Sequence, residues 1–179
     1  LRGYRQVLAV AGPAAESGKL RGLAPAVVCQ LAALPDVDAV VVEADGSRER
    51  PLKAPASHEP VVPPCATHVI VVAGMAAVGR PLDERTVHRS EIMAALTGLS
   101  PGEALTADAV ARLLADPQGG IKGVPAGAQA VLYLNLAAED DAQATHEAAA
   151  RWAAARQIAR LVLRYRAETG FLPTSERTN

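Results

Sequence analysis

The chain has 179 residues, which is enough for one domain that buries a sizeable core without added staples. Its formal charge is -1, from 18 Lys and Arg against 19 Asp and Glu, so no overall field attracts nucleic acid or an anionic membrane. Half of the residues are hydrophobic but only 3% are aromatic, which predicts an aliphatic core of the kind found around buried parallel strands.

Two further features indicate the compartment. No apolar run approaches the roughly 18 residues of a membrane span, and no signal peptide opens the sequence. Cys29 lies in an Ala-rich helical pattern and Cys65 in a Pro-rich loop. We therefore expect two reduced thiols in a cytoplasmic protein.

The first third of the chain predicts two strands around one helix. Tyr4 to Ala11 has the apolar density of a short strand, and Leu23 to Leu34 has helical spacing with Pro25 at an early position. Asp38 to Glu43 is the next predicted strand. The long loop 46–67 follows and holds five of the 13 prolines, which restrict its backbone.

The middle of the chain continues the alternation. His68 to Ala73 is a predicted strand, Glu84 to Leu96 a helix, and Thr106 to Ala115 a second helix in which Thr106 is a candidate cap. Ala130 to Leu134 is the next predicted strand.

The last elements are a helix over Asp141 to Arg156 and a strand over Ile158 to Tyr165. Alternating strands and helices predict a single α/β domain over residues 1–179, with an open, mostly parallel sheet and flanking helices. Ligands of such sheets bind beyond the carboxyl ends of the strands. Glu43, Asp45, Gly74 and Asn135 all fall at predicted strand ends.

Glu43 and Asp45 are the first candidate site. A valine run that ends in carboxylates can place a hard oxygen ligand near Mg²⁺ and phosphates, and Gly46 permits a sharp turn after them. A strand that simply ends in solvated acids fits the pattern equally well. The two interpretations stay open at this point.

The loop that follows is the second candidate site. Arg48, Arg50 and Lys53 can hold phosphate oxygens, and His58 and Glu59 come directly after them. Solvated charges that pair among themselves are the alternative. The proline density favours a rigid binding loop over a flexible linker.

His88 and Arg89 lie on the predicted helix 84–96, where they either reach a ligand or form an ordinary polar face. Asn135 follows the strand AVLYL, but the Lys and Asp of a guanine-binding motif are missing after it. It therefore carries no base specificity.

Two familiar motifs are rejected. Gly12 and Gly18 are separated by five residues, and Leu20 replaces the hydroxyl of a phosphate loop after Lys19. The other is a zinc site, for which the spacing of the His and Cys residues matches no known pattern (His58, Cys65, His68, His88).

Four segments together resemble the YqeC family: KLRGL at 19–23, VVVEADGSRERPLKAPASHEPVVP at 40–63, VHR at 87–89 and LYLN at 132–135. The resemblance extends from Lys19 to Ile158. It implies a cytoplasmic, P-loop-like α/β protein that acts in maturation of a selenium-dependent molybdenum hydroxylase or its cofactor. Members usually begin with a Gly-Lys-Thr phosphate loop upstream of position 1, so the resemblance implies an N-terminally incomplete domain. The positions that match the family's motifs are Glu43, Asp45, Gly46, Lys53, His58, Glu59, His88 and Arg89.

The combined hypothesis is a P-loop NTPase-like accessory protein that uses Mg²⁺ with ATP or GTP. Four residues are the candidate catalytic groups, of which Asp45 also ligates the metal (Glu43, Asp45, His58, His88). The candidate binding residues are Gly46, Arg48, Arg50, Lys53, Glu59, Arg89 and Asn135.

Two alternatives remain open. The first is a non-enzymatic module that docks a molybdopterin-type cofactor or a client enzyme, and the second, weaker one is a zinc hydrolase. The expected partners are a molybdenum hydroxylase or cofactor-maturation proteins, with no nucleic acid and no membrane, and a homo-oligomer is left open.

Overall fold

A computed structural model describes residues 5–13, 20–137, 147–151, 154, 158 and 160–165, and the structural statements below concern these residues. Besides a short 3₁₀ helix over Met75–Ala77, three α-helices and seven strands have defined bounds. In chain order they are β1 (Gly12–Pro13), β2 (Leu20–Arg21), α1 (Pro25–Ala32), β3 (Leu52–Lys53), β4 (His68–Gly74), β5 (Val87–His88), α2 (Ser90–Thr97), α3 (Ala107–Ala115), β6 (Gln129–Ala137) and β7 (Arg160–Tyr165).

The central sheet is parallel and has the strand order β4-β6-β7. In its register Gly74 at the end of β4 lies opposite Asn135 of β6. A separate parallel pair joins β3 to β5 and places Lys53 opposite His88, while β1 and β2 form a short antiparallel pair. The α/β class and the three later strands are confirmed.

The core lies on one face of the central sheet. Ala73, Leu132 and Leu134 are fully buried and share one hydrophobic cluster with α3, including Val110 and Leu113. Alternation along β4 points Ile70 and Val72 to the opposite face, where each is 62% exposed. The helices of the cluster therefore cover only one side of these strands.

Local sequence explains the helix starts. Pro25 is at the first turn of α1, where its missing N–H group is tolerated. Thr106 caps α3, since its Oγ1 accepts a hydrogen bond of 3.1 Å from the Ala109 amide. Of the helix predicted over 141–156, residues 147–151 and 154 are helical, and 141–146 lie outside the described residues.

Two predicted strands are wrong. Residues 5–11 and 38–43 belong to no sheet, and Val41 is 96% exposed (Tyr4 lies outside the described residues). A valine run supplies β-propensity, but a strand also needs a neighbouring backbone to pair with. No such neighbour occurs in the described part of the chain. The prediction of one continuous sheet is corrected to separate strand groups, and Glu43 and Asp45 do not lie at the end of a strand.

The helix predicted from Glu84 begins only at Ser90. The Glu84 carboxylate accepts hydrogen bonds from the Ser90 amide at 2.6 Å and the Ser90 hydroxyl at 3.0 Å, so it caps α2 from outside. Val87 and His88 pair with β3 instead, and Arg89 adopts a left-handed backbone conformation with φ 65° between strand and helix. His88 and Arg89 therefore do not lie on a helix.

The expectation of two reduced cysteines is also wrong. Cys29 of α1 and Cys65 of the Pro-rich loop form a disulfide across 36 residues of sequence. The folded chain brings their Cα atoms to 5.7 Å, a proximity that local composition cannot predict. As for membranes, none of the helices in the described ranges is long and apolar enough to cross one.

Candidate functional site

Backbone hydrogen bonds attach the 46–59 loop to the strand ends. The Gly74 amide donates to the Pro51 carbonyl at 2.8 Å, and the Ala54 amide donates to the His88 carbonyl at 3.1 Å. A Cβ atom at Gly74 would lie 3.0–3.1 Å from Pro51, so only glycine permits this approach without a shift. These bonds hold the segment around β3 at the carboxyl ends of β4 and β5.

Lys53 is at the centre of the site. Its ammonium donates to the Asp45 carboxylate and to the Gly46 carbonyl at 2.9 Å, and it lies 2.9 Å from Oε2 of Glu59. The Lys53 side chain is only 11% exposed. One cation therefore bridges two carboxylates that are 14 residues apart in sequence.

Glu59 is held from a second side by Arg89. Arg89 Nη1 donates to Oε2 at 2.6 Å and Nη2 donates to Oε1 at 3.2 Å, which is the two-pronged geometry that a guanidinium forms with a carboxylate. Burial opposes ionisation of Glu59, but the bonds from Lys53, Arg89 and the Ala56 amide outweigh it and lower its pKa to about 2. Glu59 is a fixed anion at neutral pH.

His88 lies opposite Lys53 in the parallel pair of β3 and β5. It is 8% exposed, and its Nδ1 atom is buried without a hydrogen-bond partner among the described residues. Burial lowers the pKa of His88, and the nearby positive charges of Arg89, Arg48, Lys53 and Arg50 lower it further. The imidazole is therefore neutral at pH 7 in a positive field.

The remaining loop cations, Arg48 and Arg50, are near enough to His88 for their charges to lower its pKa. Arg50 donates through Nε to the Glu84 carbonyl and through Nη1 to the Arg48 carbonyl at 3.3 Å. Arg48 itself has a left-handed backbone with φ 53°. Glu43 approaches Gly46, where its Oε1 would lie 3.7 Å from an added Cβ.

Two predicted site residues lie outside the hydrogen bonds around Lys53. His58 is 75% exposed and lies 3.8 Å from the Glu59 carboxylate. Asn135 lies opposite Gly74, and its Oδ1 is buried without a partner in the described part of the chain. The structure thus joins Asp45, Gly46, Lys53, Glu59 and Arg89 directly, with His88 alongside them in the strand register.

Sequence reasoning missed Lys122. Its ammonium donates to the Ala56 carbonyl at 2.6 Å and to the Ser57 carbonyl at 3.2 Å, which fixes the turn before Glu59. The separation of 66 residues between Lys122 and Ala56 leaves no local signal. Glu84 was missed as well, although an acid close before a helix start is a recognisable capping signal.

The fit of a metal ion depends on Asp45. Among the described residues no group of three or more His, Cys, Asp or Glu side chains can hold a metal. Mg²⁺ needs only one or two carboxylates when waters and phosphate oxygens complete its shell. Asp45, with 22% of its side chain exposed, fits that role as a partner of a phosphate group. Cys65 cannot serve as a thiolate ligand of zinc, because its sulfur is bonded to Cys29.

Fold and site together define an α/β protein with a group of four cations at the carboxyl ends of parallel strands. We call this group, Arg48, Arg50, Lys53 and Arg89, the cationic cluster. The family model described as "YqeC protein" matches residues 3–91. An Escherichia coli (strain K12) protein described as "Uncharacterized protein YqeC" is 39% identical over 121 residues, which are 68% of this chain and 47% of that protein. The chain therefore belongs to the YqeC family. The chain spans about half the length of this curated relative. No solved structure matches the chain.

Proposed function

We propose that this chain binds a phosphate-bearing ligand at the cationic cluster, as a nucleotide-dependent accessory protein in maturation of a molybdenum hydroxylase or its cofactor. The observation that carries the binding site is the set of four cations around His88. Arg48, Arg50, Lys53 and Arg89 all lower its pKa by their charge. Asp45 and Glu59 pair with Lys53 and Arg89, which leaves Arg48 and Arg50 with no ion-paired carboxylate in the described part of the chain. The excess of cations favours an anionic ligand.

The roles follow from chemistry at each side chain. Lys53 and Arg48 or Arg50 neutralise phosphate oxygens, since ammonium and guanidinium groups donate to such oxygens. Neutral His88 can accept a proton at its unpartnered Nδ1. Arg89 and Glu59 hold the loop in place. When bound, Mg²⁺ would supply charge neutralisation at the phosphate, with Asp45 as its carboxylate ligand.

The second candidate is docking without turnover. In this candidate the cations around Lys53 hold an anionic group, such as the phosphate of a molybdopterin-type cofactor, and perform no hydrolysis. Release of inorganic phosphate from ATP or GTP separates the two candidates. A cytoplasmic site of action is part of this proposal, and the Cys29–Cys65 disulfide counts against it because disulfides are rare there.

Calorimetric titration with Mg-ATP and with Mg-GTP tests the binding site. We expect Lys53→Met to weaken binding about tenfold or more, because a hydrogen bond to a charged group is worth about 1.5–3 kcal/mol. Arg151→Gln is the charge-matched control, since Arg151 is 65% exposed and pairs with Asp108. Equal affinities of wild type, Lys53→Met and Arg151→Gln, or no binding at all, would contradict the proposed site.

The cellular role has its own test. We expect a cell that lacks this protein to accumulate molybdenum hydroxylase with reduced specific activity, and re-expression of Lys53→Met to restore less of it than re-expression of Arg151→Gln. Unchanged hydroxylase activity after deletion would refute the maturation role while leaving the binding site to the titration.

A further inference from the structure

All three N–H groups of the Lys53 ammonium face an acceptor in this structure. Its three donors face the Asp45 carboxylate, the Glu59 carboxylate and the Gly46 carbonyl. An ammonium has three N–H groups, so an incoming phosphate oxygen must replace one of these acceptors. The identity of the displaced group decides how the site responds to a ligand.

Glu59 is the harder carboxylate to displace. It accepts two bonds from Arg89 and one of 3.4 Å from the Ala56 amide, none of which involves Lys53. Lys122 and Arg89 also bind the backbone of the same turn, through Ala56 and Ala54. Loss of the Lys53 contact would therefore leave Glu59 in position.

Asp45 is held much less firmly. Lys53 is the partner of its carboxylate in the described part of the chain, and the residues before it form no sheet. The exposed fractions of the two side chains are similar, 22% for Asp45 and 19% for Glu59, so the difference between them lies in the number of their other bonds. Asp45 is thus the carboxylate that an incoming anion displaces with the smaller loss of bonding.

We propose that Asp45 is an internal occupant of the anion site, and that a phosphate dianion displaces it from Lys53 and thereby frees its carboxylate for a divalent cation. This inference rests on the proposed function, because it concerns the same cationic cluster. Before the exchange Asp45 competes with the anion, and afterwards it attracts the cation. Phosphate and the divalent cation consequently strengthen each other's binding, and the coupling is reciprocal.

The decisive variant is Asp45→Asn, with inorganic phosphate as the probe and no divalent metal present. We expect this variant to bind phosphate about fivefold more tightly than wild type, because a competing ion pair worth roughly 1 kcal/mol has been removed. Asp108→Asn makes the same charge change on α3, where the side chain is 56% exposed, and we expect less than about a twofold effect. Phosphate-detected NMR titration measures all three affinities.

A second measurement uses Mn²⁺ as the metal probe. In wild type we expect saturating phosphate to tighten Mn²⁺ binding about fivefold, as followed by the relaxation of water protons. We expect this coupling to vanish in Asp45→Asn.

A third measurement uses wild-type protein alone and needs no variant. Carbodiimide labelling of the Asp45 carboxylate should increase on addition of phosphate, while labelling of Asp108 stays constant.

The outcomes separate this inference from the proposed function. Phosphate binding that depends on Lys53 but is unchanged or weakened in Asp45→Asn overturns the exchange and leaves the binding site intact. Unchanged Asp45 labelling at saturating phosphate overturns it as well, even if Asp45→Asn fails to fold. Failure of phosphate to bind wild type and Asp45→Asn refutes both proposals.

Discussion

At the scale of single residues, Arg89 connects backbone conformation to the site. Its left-handed φ of 65° is uncommon for a residue with a side chain, and it turns the chain from β5 into α2. That turn directs the guanidinium to Glu59, where two bonds hold the carboxylate. The Glu84 cap on Ser90 fixes the start of the helix directly after the turn.

Glu59 gives a pH prediction at this scale. Its pKa is lowered from 4.5 to about 2, so its contribution to stability is complete above pH 4.5 and is lost as the pH falls through 2. We expect a contribution of about 2 kcal/mol to the free energy of unfolding, somewhat less than the shift implies because the side chain is 19% exposed.

Urea unfolding of wild type and Glu59→Gln from pH 2 to 7 measures this contribution. The variant should be less stable than wild type at pH 7, and the difference should shrink toward pH 2. Arg151→Gln controls for a general loss of one surface ion pair. A stability difference that does not depend on pH would show that the ionised form of Glu59 is not what stabilises the loop.

At the scale of elements, the contact between β4 and the loop before β3 depends on Gly74. We expect Gly74→Ala to destabilise the fold by roughly 1–3 kcal/mol, because its Cβ would come within 3.0–3.1 Å of three Pro51 atoms and strain a close-packed contact. Ligand affinity at Lys53 should fall with it, since Pro51 positions the following strand.

Gly22→Ala is the matched control for this prediction. Nothing lies within 4 Å of a Cβ at Gly22, so the same glycine-to-alanine change should be neutral or slightly stabilising. Thermal unfolding of both variants provides the comparison. Equal melting temperatures would mean that the end of β4 and Pro51 are not in close contact in solution.

At the scale of the whole molecule, the disulfide links α1 to the loop that precedes β4. Closing a loop of 36 residues is expected to stabilise the folded state by about 4 kcal/mol, chiefly by restricting the unfolded chain. We therefore expect a reductant to lower the melting temperature of the wild type. The double variant Cys29→Ser/Cys65→Ser should start at the lower value and not respond to the reductant.

Thiol titration of the unreduced protein checks the same prediction directly. Formation of the bridge leaves no thiol to react until a reductant is added, because Cys29 and Cys65 are the two cysteines of the sequence. Two reactive thiols in the untreated protein, with a melting temperature that does not depend on reductant, would restore the original expectation of reduced cysteines.

Sequence by itself determined the elements whose signals are local. Helical spacing with Pro25 or Thr106 at its start located α1 and α3, and apolar runs located β4, β6 and β7. The charged segment from Asp45 to Glu59 could be predicted as a candidate site because its residue types and prolines are contiguous in the chain. Each of these signals acts over a few residues, which is the range that propensity and periodicity describe.

Only the tertiary structure decided which groups meet. The bond from Lys122 to Ala56, the pairing of Arg89 with Glu59 and the Cys29–Cys65 bridge all join residues at least 30 positions apart. Residues 38–43 have the composition of a strand yet find no backbone partner in the described chain. Such outcomes depend on which distant segments pack together, and a local pattern carries no information about that choice.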